Sequence, residues 1–168
     1  HETPAPTLST LLGEHRMHLK SLGHAAVLLT AESGKRLLID PYESGGLGGA
    51  VRYGPITERA DAVVCSHEHA DHSAVGAVPG DPEVLEQGRW GPFEVRRHRA
   101  WHDEYEGRRR GGAVDLLEIT CEGTRIVHAS DVGQAPESKL AEALYGPDVL
   151  LLPVGGFYTI GAAQAWEW

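Results

Sequence analysis

The sequence predicts a layered α/β or α+β domain, and three features indicate it. Short apolar runs of strand length recur along the chain, several of them are joined by tight turns, and few segments have helical spacing. A chain of 168 residues with 41% hydrophobic residues suits one domain with its own core. We therefore predict a single domain over residues 1–168, in which residues 1–15 are a candidate flexible segment.

The first predicted element is a hairpin. Residues 17–22 alternate between polar and apolar side chains, and residues 25–31 form a short apolar run. A tight turn over residues 32–35 leads into a paired strand over residues 36–40. The glycine-rich segment over residues 45–55 lacks the Gly-Lys-Ser/Thr ending of a phosphate-binding loop, so we interpret it as an ordinary flexible loop.

The rest of the chain continues the pattern and adds one helix. Further strands are predicted over residues 62–65, 93–99, 114–120, 125–129 and 149–152. The turn at residues 122–124 joins two of these strands into a second hairpin. A helix is predicted over residues 138–144, because Leu140 and Leu144 are spaced i, i+4 and a Gly-Pro pair follows as a stop signal.

Composition excludes several classes of function. A net charge of −9 argues against broad contact with a phosphate backbone, so no nucleic-acid partner is expected. Two cysteines cannot form a disulfide scaffold, and we interpret them as buried free thiols. No apolar run approaches the roughly 20 residues that span a bilayer. No export signal is evident, so we expect a cytoplasmic protein.

Residues 67–72, His-Glu-His-Ala-Asp-His, concentrate chemical groups directly after a predicted buried strand. Imidazole nitrogens and carboxylate oxygens suit Zn²⁺ and similar divalent ions. His67 and His69 are two residues apart, so a strand-like exit points both the same way, where they could hold one ion together. Asp71 and His72 lie further round the turn and could face a neighbouring ion. The alternative is a solvated polar loop with chance histidines.

This His-x-His-x-Asp-His pattern resembles the signature of the metallo-β-lactamase superfamily. Further segments resemble the branch of metal-dependent hydrolases that contains ascorbate-6-phosphate lactonase-like proteins. They are the opening hairpin at residues 23–26 and 38–41, the third-histidine region at residues 102–111, residues 128–133, and residues 152–160. Ser130 stands where that branch has a glycine. The resemblance covers nearly the whole chain and implies an αββα four-layer sandwich.

The resemblance also implies a set of metal ligands. His67, His69 and His102 would hold a first ion, Asp71 and His72 would belong to a second, and Asp131 would bridge both. Asp40 would orient a ligand from behind, as metal-bound histidines usually require. The implied cofactor is one or two divalent ions, Zn²⁺ first, with Mn²⁺, Ni²⁺ and Fe²⁺ as alternatives.

One ligand of the family pattern is missing from the sequence. The family's last ligand is a histidine beyond the Tyr-Thr segment, whereas no histidine follows His128 here. We therefore expect that the chain is incomplete after Trp168 and that a further stretch supplies this ligand. Two alternatives stay open, namely a site with one metal ion and a protein that has lost catalysis.

Other histidines compete for a place in the site. His98 lies within an alternating strand and is interpreted as a surface residue, so His102 is preferred as the third ligand because it follows a strand. His128 lies inside a strand and is predicted to support a ligand or simply to pack. His24 could face the site from the first hairpin, and a structural role is an equal alternative.

The implied function is that of a metallo-hydrolase, in which a metal-bound hydroxide attacks a small ester, lactone or phosphodiester-like substrate. Asp71 would position the hydroxide or shuttle a proton, and Tyr158 would assist a developing oxyanion. Arg110, in the basic run 108–110, is a candidate clamp for an anionic small molecule, with a solvated charge run as the alternative. Rival functions are a superfamily nuclease and a non-catalytic metal-binding domain. A homo-oligomer stays open.

Overall fold

A computed structural model describes residues 17–168, so the prediction for residues 1–15 lies outside the described residues. Ten strands run in chain order, and most of them are short. They are β1 His18–Gly23, β2 Ala26–Thr30, β3 Arg36–Ile39, β4 Ala62–Val64, β5 Glu83–Leu85, β6 Gly88–Trp90, β7 Phe93–Trp101, β8 Ala113–Cys121, β9 Thr124–His128 and β10 Val149–Leu151.

Helices are few and short in the described chain. They are α1 Gly46–Gly49, a 3₁₀ turn at Val75–Ala77, α2 Ser138–Ala143 and α3 Ala162–Ala165. Two residues inside α1 have left-handed rather than helical backbone angles, so it is a turn more than a helix. Among residues 17–168, no helix has the length and apolar character needed to cross a membrane.

The strands form two five-stranded mixed sheets. The first has the order β1-β2-β3-β4-β5, antiparallel up to β3 and parallel beyond it. The second has the order β10-β9-β8-β7-β6, in which only β10 and β9 are parallel. The two predicted hairpins are β2–β3 and β8–β9, and both are present in the structure.

The sheets face each other across a central apolar core. Side chains alternate between the two faces of a strand, and β2 is buried on both faces because Val27 and Leu29 enter the central core while Ala26 and Leu28 face an outer layer. The opposite sheet contributes Phe93, Val95, Leu117, Ile119 and Ile126 to the central core. Because β2 is buried on both faces, its sequence is an uninterrupted apolar run, and this pattern predicts the strand.

The outer layers are built mostly from loops rather than from long helices. Tyr42, Val51 and Ile56 cover the outer face of the first sheet from the segment between β3 and β4. Leu140 and Leu144 of the α2 region, with Ile160, cover the second sheet. The structure therefore contains the two stacked sheets of the αββα expectation. The outer helices in the described chain are no longer than six residues.

The topology brings the ends of several strands to one edge of the molecule. Strands β3 and β4 are parallel, so the residues that follow them, Asp40 and Ser66, lie at the same edge. Strands β7 and β9 are each antiparallel to β8, so their carboxyl ends also coincide, at His102 and Asp131. The Ser66 carbonyl oxygen accepts a hydrogen bond from the Asp115 N–H, 3.2 Å away, and thereby joins the two sheets there.

Glu118 on β8 is a buried carboxylate that ties the second sheet to the end of α2. Its Oε1 accepts a hydrogen bond from Arg125 Nε at 2.7 Å, and its Oε2 lies 2.6 Å from His98 Nε2. The same guanidinium donates to the carbonyl oxygens of Ala143 and Tyr145. Burial acts to raise the pKa of Glu118, but the hydrogen bonds from Arg125 and His98 lower it overall.

The substitution Glu118→Gln is expected to lower the free energy of unfolding by about 2 kcal/mol at pH 7, because hydrogen bonds to charged groups contribute about 1.5–3 kcal/mol. A lowered folded-state pKa gives stability that is present above the unfolded value, 4.5, and is lost as pH falls through the folded value. Urea unfolding at pH 7 and below pH 4.5 measures both effects, and the deficit of the variant should shrink in acid. The control Glu86→Gln, at a side chain that is 86% exposed, should change stability by less than about 0.5 kcal/mol. An equal deficit at both pH values would contradict the assignment.

Candidate metal centre

Asp40, which is fully buried after β3, lies at the centre of a hydrogen-bond network. Its Oδ1 accepts from the Ser66 N–H at 2.6 Å. Its Oδ2 accepts from the hydroxyls of Ser66 and Ser130, both at 2.7 Å, and from His72 Nδ1 at 3.0 Å. Burial would raise the pKa of Asp40, but the hydrogen bond from His72 and the neighbouring His128 and Ser66 groups hold it well below its usual range. Asp40 is therefore a carboxylate that accepts hydrogen bonds only.

Three residues around the centre have left-handed backbone, with φ of 49° at His24, 48° at Asp40 and 47° at Ser130. Residues other than glycine seldom adopt this conformation, and such strain collects at functional sites. At Ser130, where the sequence pattern has glycine, the extra side chain donates its hydroxyl hydrogen to Asp40. A glycine there could adopt the same backbone but could not make this hydrogen bond.

His72 is oriented by Asp40 so that its other nitrogen faces two carboxylates. Because the Asp40 carboxylate can only accept, His72 Nδ1 carries the hydrogen. Nε2 then lies 3.1 Å from Oδ2 of Asp131 and 3.7 Å from Oδ2 of Asp71, yet it is buried without a well-formed hydrogen bond. Burial lowers the pKa of His72, but Asp131 and Asp40 outweigh it and raise the pKa to about 10. The site around Nε2 is therefore strongly attractive to a cation.

His67, His69 and His102 form the first group of candidate ligands. One ring nitrogen from each lies within 4.8 Å of the others. His67 Nε2 and His69 Nδ1 are 2.9 Å apart, while His67 Nδ1 lies 2.8 Å from the Ser66 hydroxyl. Burial, followed by the nearby His72, lowers the pKa of His67 to about 3, and burial also lowers that of His102. Both rings are therefore neutral at pH 7, which is the form that coordinates metals.

The position of His102 depends on two glycines. A Cβ atom on Gly133 would lie 1.8 Å from the His102 carbonyl oxygen, and one on Gly111 would lie 2.7 Å from the His102 ring. Only glycine therefore permits the close approach of the loops on both sides of His102. The Nε2 atom of His102 is buried and has no hydrogen-bond partner within the described part of the chain.

His24, Asp71 and His72 form a second group, whose donor atoms also lie within 4.8 Å of one another. His24 Nε2 is 3.0 Å from Oδ2 of Asp71. The hydrogen bond from His24 is the main cause that lowers the pKa of Asp71 to about 2. Asp131 adjoins this group through His72; burial acts to raise the pKa of Asp131, but the interaction with His72 lowers it overall.

The chemistry of these residues fits divalent metal ions. Two buried imidazole nitrogens, on His72 and His102, have no hydrogen-bond partner among residues 17–168, although buried polar groups nearly always have one. His102 belongs to a group of three imidazoles and His72 to a group of two imidazoles and a carboxylate, and Zn²⁺ prefers both types of donor. An ion in each group would satisfy the nitrogen that the protein leaves without a partner.

The structure places the remaining predicted residues at varying distances from this centre. His98 pairs with Glu118 away from it, and His128 packs with its Nε2 2.9 Å from the Ala25 carbonyl oxygen. Tyr158 is exposed and, with Arg110 and His102, lines a small cavity of about 250 Å³. The interpretation of His98 as a surface residue is wrong in one respect, since its side chain is only 19% exposed.

The loop that carries the basic run is organised by Asp103. Its carboxylate accepts backbone hydrogen bonds from Tyr105, Gly107, Arg109 and Arg110. These bonds fold residues 105–110 around one carboxylate, which positions the guanidinium of Arg110 over the Phe157 ring at 5.2 Å.

Three functional side chains were missed or left undecided by the sequence analysis. Ser66 and Ser130 both donate to Asp40, and His24 meets Asp71. The only signal for Ser66 was its place between a buried strand and the histidine cluster. For Ser130 it was the departure from glycine in the family pattern, and for His24 it was the position in the first hairpin.

Two stacked mixed sheets with histidine and aspartate groups at one edge define a protein of the metallo-β-lactamase class. The family model described as "Beta-lactamase superfamily domain" matches residues 18–168. A "UPF0173 metal-dependent hydrolase" of Thermococcus onnurineus is 31% identical over 174 residues, covering 88% of this chain and 76% of the relative. One from Methanoregula boonei is 32% identical and covers 89% and 74%. The chain belongs to the UPF0173 metal-dependent hydrolase family of the metallo-β-lactamase superfamily.

Solved structures agree with the fold. A Thermotoga maritima protein, provisionally described as a Zn-dependent hydrolase of the metallo-β-lactamase superfamily, superposes with a TM-score of 0.67 at 29% identity, covering 90% of this chain and 69% of that one. A second structure, from Parabacteroides distasonis, gives the same TM-score at 19% identity and covers 89% and 74%. The expected ligand-bearing stretch after Trp168 has no support from the fold or from these matches and stays a prediction.

Proposed function

We propose that this protein is a zinc-dependent hydrolase of a small ester, lactone or phosphodiester-like substrate. The observation that carries the proposal is the pair of buried imidazole nitrogens, on His72 and His102, that lack a partner and each face a group of metal donors. The provisional description of the Thermotoga maritima protein as Zn-dependent supports zinc as the ion.

The ligand assignment follows from the two groups. We assign His67, His69 and His102 to a first ion, because their ring nitrogens converge. We assign Asp71 and His72 to a second ion. We assign Asp131 between them, as the resemblance implies, and support comes from its Oδ2, which lies 3.1 Å from His72 Nε2.

A divalent ion bound here would lower the pKa of a coordinated water to about 7 and polarise the bond to be cleaved. The residues of the chain prepare the site for this chemistry. Asp40 accepts a hydrogen bond from His72 Nδ1, so that Nε2 is the nitrogen left to bind an ion that displaces its proton. Asp71 is ionised and only partly buried. We assign it the role of holding the attacking water and accepting its proton.

Three cavities adjoin the candidate ligands; the largest, of about 680 Å³, lies beside His24 and Asp131, and two others offer room for a substrate beside the first group. One, of about 570 Å³, is lined by His67 and His69, and the smaller one of about 250 Å³ contains His102, Arg110 and Tyr158. We assign Arg110 to an anionic group of the substrate and Tyr158 to a developing oxyanion. Support for Arg110 comes from its position next to a candidate ligand and from the Asp103-organised loop that holds it there.

The substitution Arg110→Ala tests the substrate class. It should raise KM for a phosphodiester about tenfold or more, because a charge-assisted contact contributes about 1.5–3 kcal/mol, and should leave KM for a neutral lactone unchanged. The matched control is Arg108→Ala, which removes an exposed guanidinium that pairs with Glu106. Equal effects of both variants, or no preference for the anionic substrate, would rule out the clamp.

Metal content combined with turnover tests the proposed function as a whole. Purified protein should retain zinc after dialysis and should hydrolyse members of a panel of lactones and phosphodiesters. Removal of zinc with a chelator should stop turnover, and added zinc should restore it. Protein that binds zinc but turns over nothing on a broad panel would favour the non-catalytic metal-binding domain. Protein that binds no divalent ion would refute the proposal.

A further inference from the structure

His24 occupies a position that neither the ligand pattern nor the fold requires of it. It lies in the turn between β1 and β2, and its left-handed backbone, with φ of 49°, is unusual for a histidine. Its Nε2 lies 3.0 Å from Oδ2 of Asp71, and its ring centroid is 5.0 Å from that of His72. The turn therefore presents an imidazole to the second group of candidate ligands.

Packing of two tyrosines holds this turn in place. The Tyr42 hydroxyl lies 2.9 Å from the Leu22 carbonyl oxygen and 3.0 Å from that of Gly54. The Tyr53 ring packs so closely on Gly23 that a Cβ atom there would lie 2.5 Å from it. Because these contacts fix the backbone next to His24, the ring reaches Asp71 from a rigid support rather than from a free loop.

The donor atoms around His24 have the spacing of a single coordination shell. His24 Nε2 and Asp71 Oδ2 are 3.0 Å apart, Asp71 Oδ2 and His72 Nε2 are 3.7 Å apart, and the donor atoms of all three residues lie within 4.8 Å of one another. Ligands at 2.0–2.2 Å from a tetrahedral zinc ion lie roughly 3–4 Å from one another. His72, which is fully buried, points its unpartnered Nε2 to this place.

We propose that Nε2 of His24 is a direct ligand of the second metal ion, together with Asp71 and His72. The inference rests on the proposed metal centre and deepens it by naming a third ligand of this ion within the described chain. The competing role is that His24 only donates a hydrogen bond to Asp71 and thereby positions that carboxylate. A side chain that donates a hydrogen bond but coordinates zinc poorly distinguishes the two roles. Replacing the His24 ring by such a side chain weakens zinc binding at the second site if His24 is a ligand, and leaves it unchanged if His24 only positions Asp71.

The test is a calorimetric titration of metal-stripped protein with Zn²⁺, repeated with Co²⁺ while the visible absorption spectrum is recorded. The variants are His24→Gln, whose amide can still donate to Asp71, and His24→Ala. The matched control is His18→Gln, at an exposed histidine on β1. Thermal unfolding of the stripped proteins verifies that all variants fold like the parent.

The parent and the His18 variant should bind two equivalents of Zn²⁺. Both His24 variants should keep the first equivalent unchanged and lose at least about tenfold in affinity for the second, with a change in the Co²⁺ absorption of the second equivalent alone. If His24→Gln binds the second ion like the parent while the parent binds two, the ligand role is overturned and the proposed hydrolase stands. A parent that binds only one ion also overturns the ligand role. A parent that binds none overturns both proposals.

Discussion

Replacement of both His67 and His69 by alanine should abolish hydrolysis, with a fall in turnover of at least about 10³-fold. A bound ion contributes several kcal/mol of transition-state stabilisation, and each 1.36 kcal/mol changes the rate tenfold. The two side chains supply two of the three ring nitrogens in the first group. Only His102 and the shared Asp131 would then remain, and two ligands are too few for a zinc ion that normally needs at least three protein ligands.

Stability measurements separate this loss from misfolding. Zinc that binds only the folded protein should raise its stability by about 2.7 kcal/mol at a concentration 100 times Kd. The double variant should lose the part of this increase that comes from the first ion. Its unfolding midpoint without zinc should stay close to that of the parent, because both side chains lie at the edge of the fold and His69 is exposed. Turnover within tenfold of the parent would show that the first group is not the catalytic site.

The substitution Asp40→Asn should have the second-largest effect, since it inverts the hydrogen-bond pattern beneath the ligands. Oδ1 and Oδ2 of Asp40 both accept, from the Ser66 N–H on one side and from two hydroxyls and His72 on the other. An asparagine places a donor at one of these positions. In one orientation the asparagine NH2 faces the Ser66 N–H, which is also a donor. In the other it faces the two hydroxyls and His72 Nδ1–H, and His72 can avoid this clash only by moving its hydrogen to Nε2, where the metal would bind.

Two measurements follow from Asp40→Asn. Zinc affinity should fall about 10–100-fold, the range typical when a group that orients a ligand is changed. The free energy of unfolding should fall by about 3 kcal/mol or more, because a buried charged network loses its acceptor. Glu118→Gln is the matched control, as it removes another buried carboxylate and should destabilise the protein without changing zinc affinity. Unchanged zinc affinity in Asp40→Asn would contradict the orienting role.

The strands that the sequence predicted best are those with strong apolar patterns. The β2–β3 and β8–β9 hairpins follow from alternation and turn residues, and their pairing matches the expectation. Strands β5 and β6 were missed because each has three residues and no buried side chain, so no periodic pattern exists to read. Strands β7 and β8 extend to nine residues because pairing between sheet neighbours, a long-range effect, continues beyond the predicted ends.

The residues of the candidate site likewise divide into those that a local sequence pattern predicts and those that it does not. The cluster from His67 to His72 is contiguous, so its chemistry could be recognised from residue types alone. His102 and Asp131 could be proposed only through a resemblance, since strands β7 and β9 bring them to the centre from distant parts of the chain. The serine hydroxyls on Asp40 could not be predicted, because serine occurs in so many settings that it carries little signal by itself.

The central claim is that the edge of the two sheets holds metal ions between the named histidines and aspartates. Anomalous diffraction at the zinc absorption edge, from crystals grown with zinc, tests it most directly. We expect one peak bounded by His67, His69 and His102, and a second bounded by His24, Asp71 and His72, with Asp131 between the two. Crystals without an anomalous peak at either place would contradict the claim, whether or not zinc is bound elsewhere.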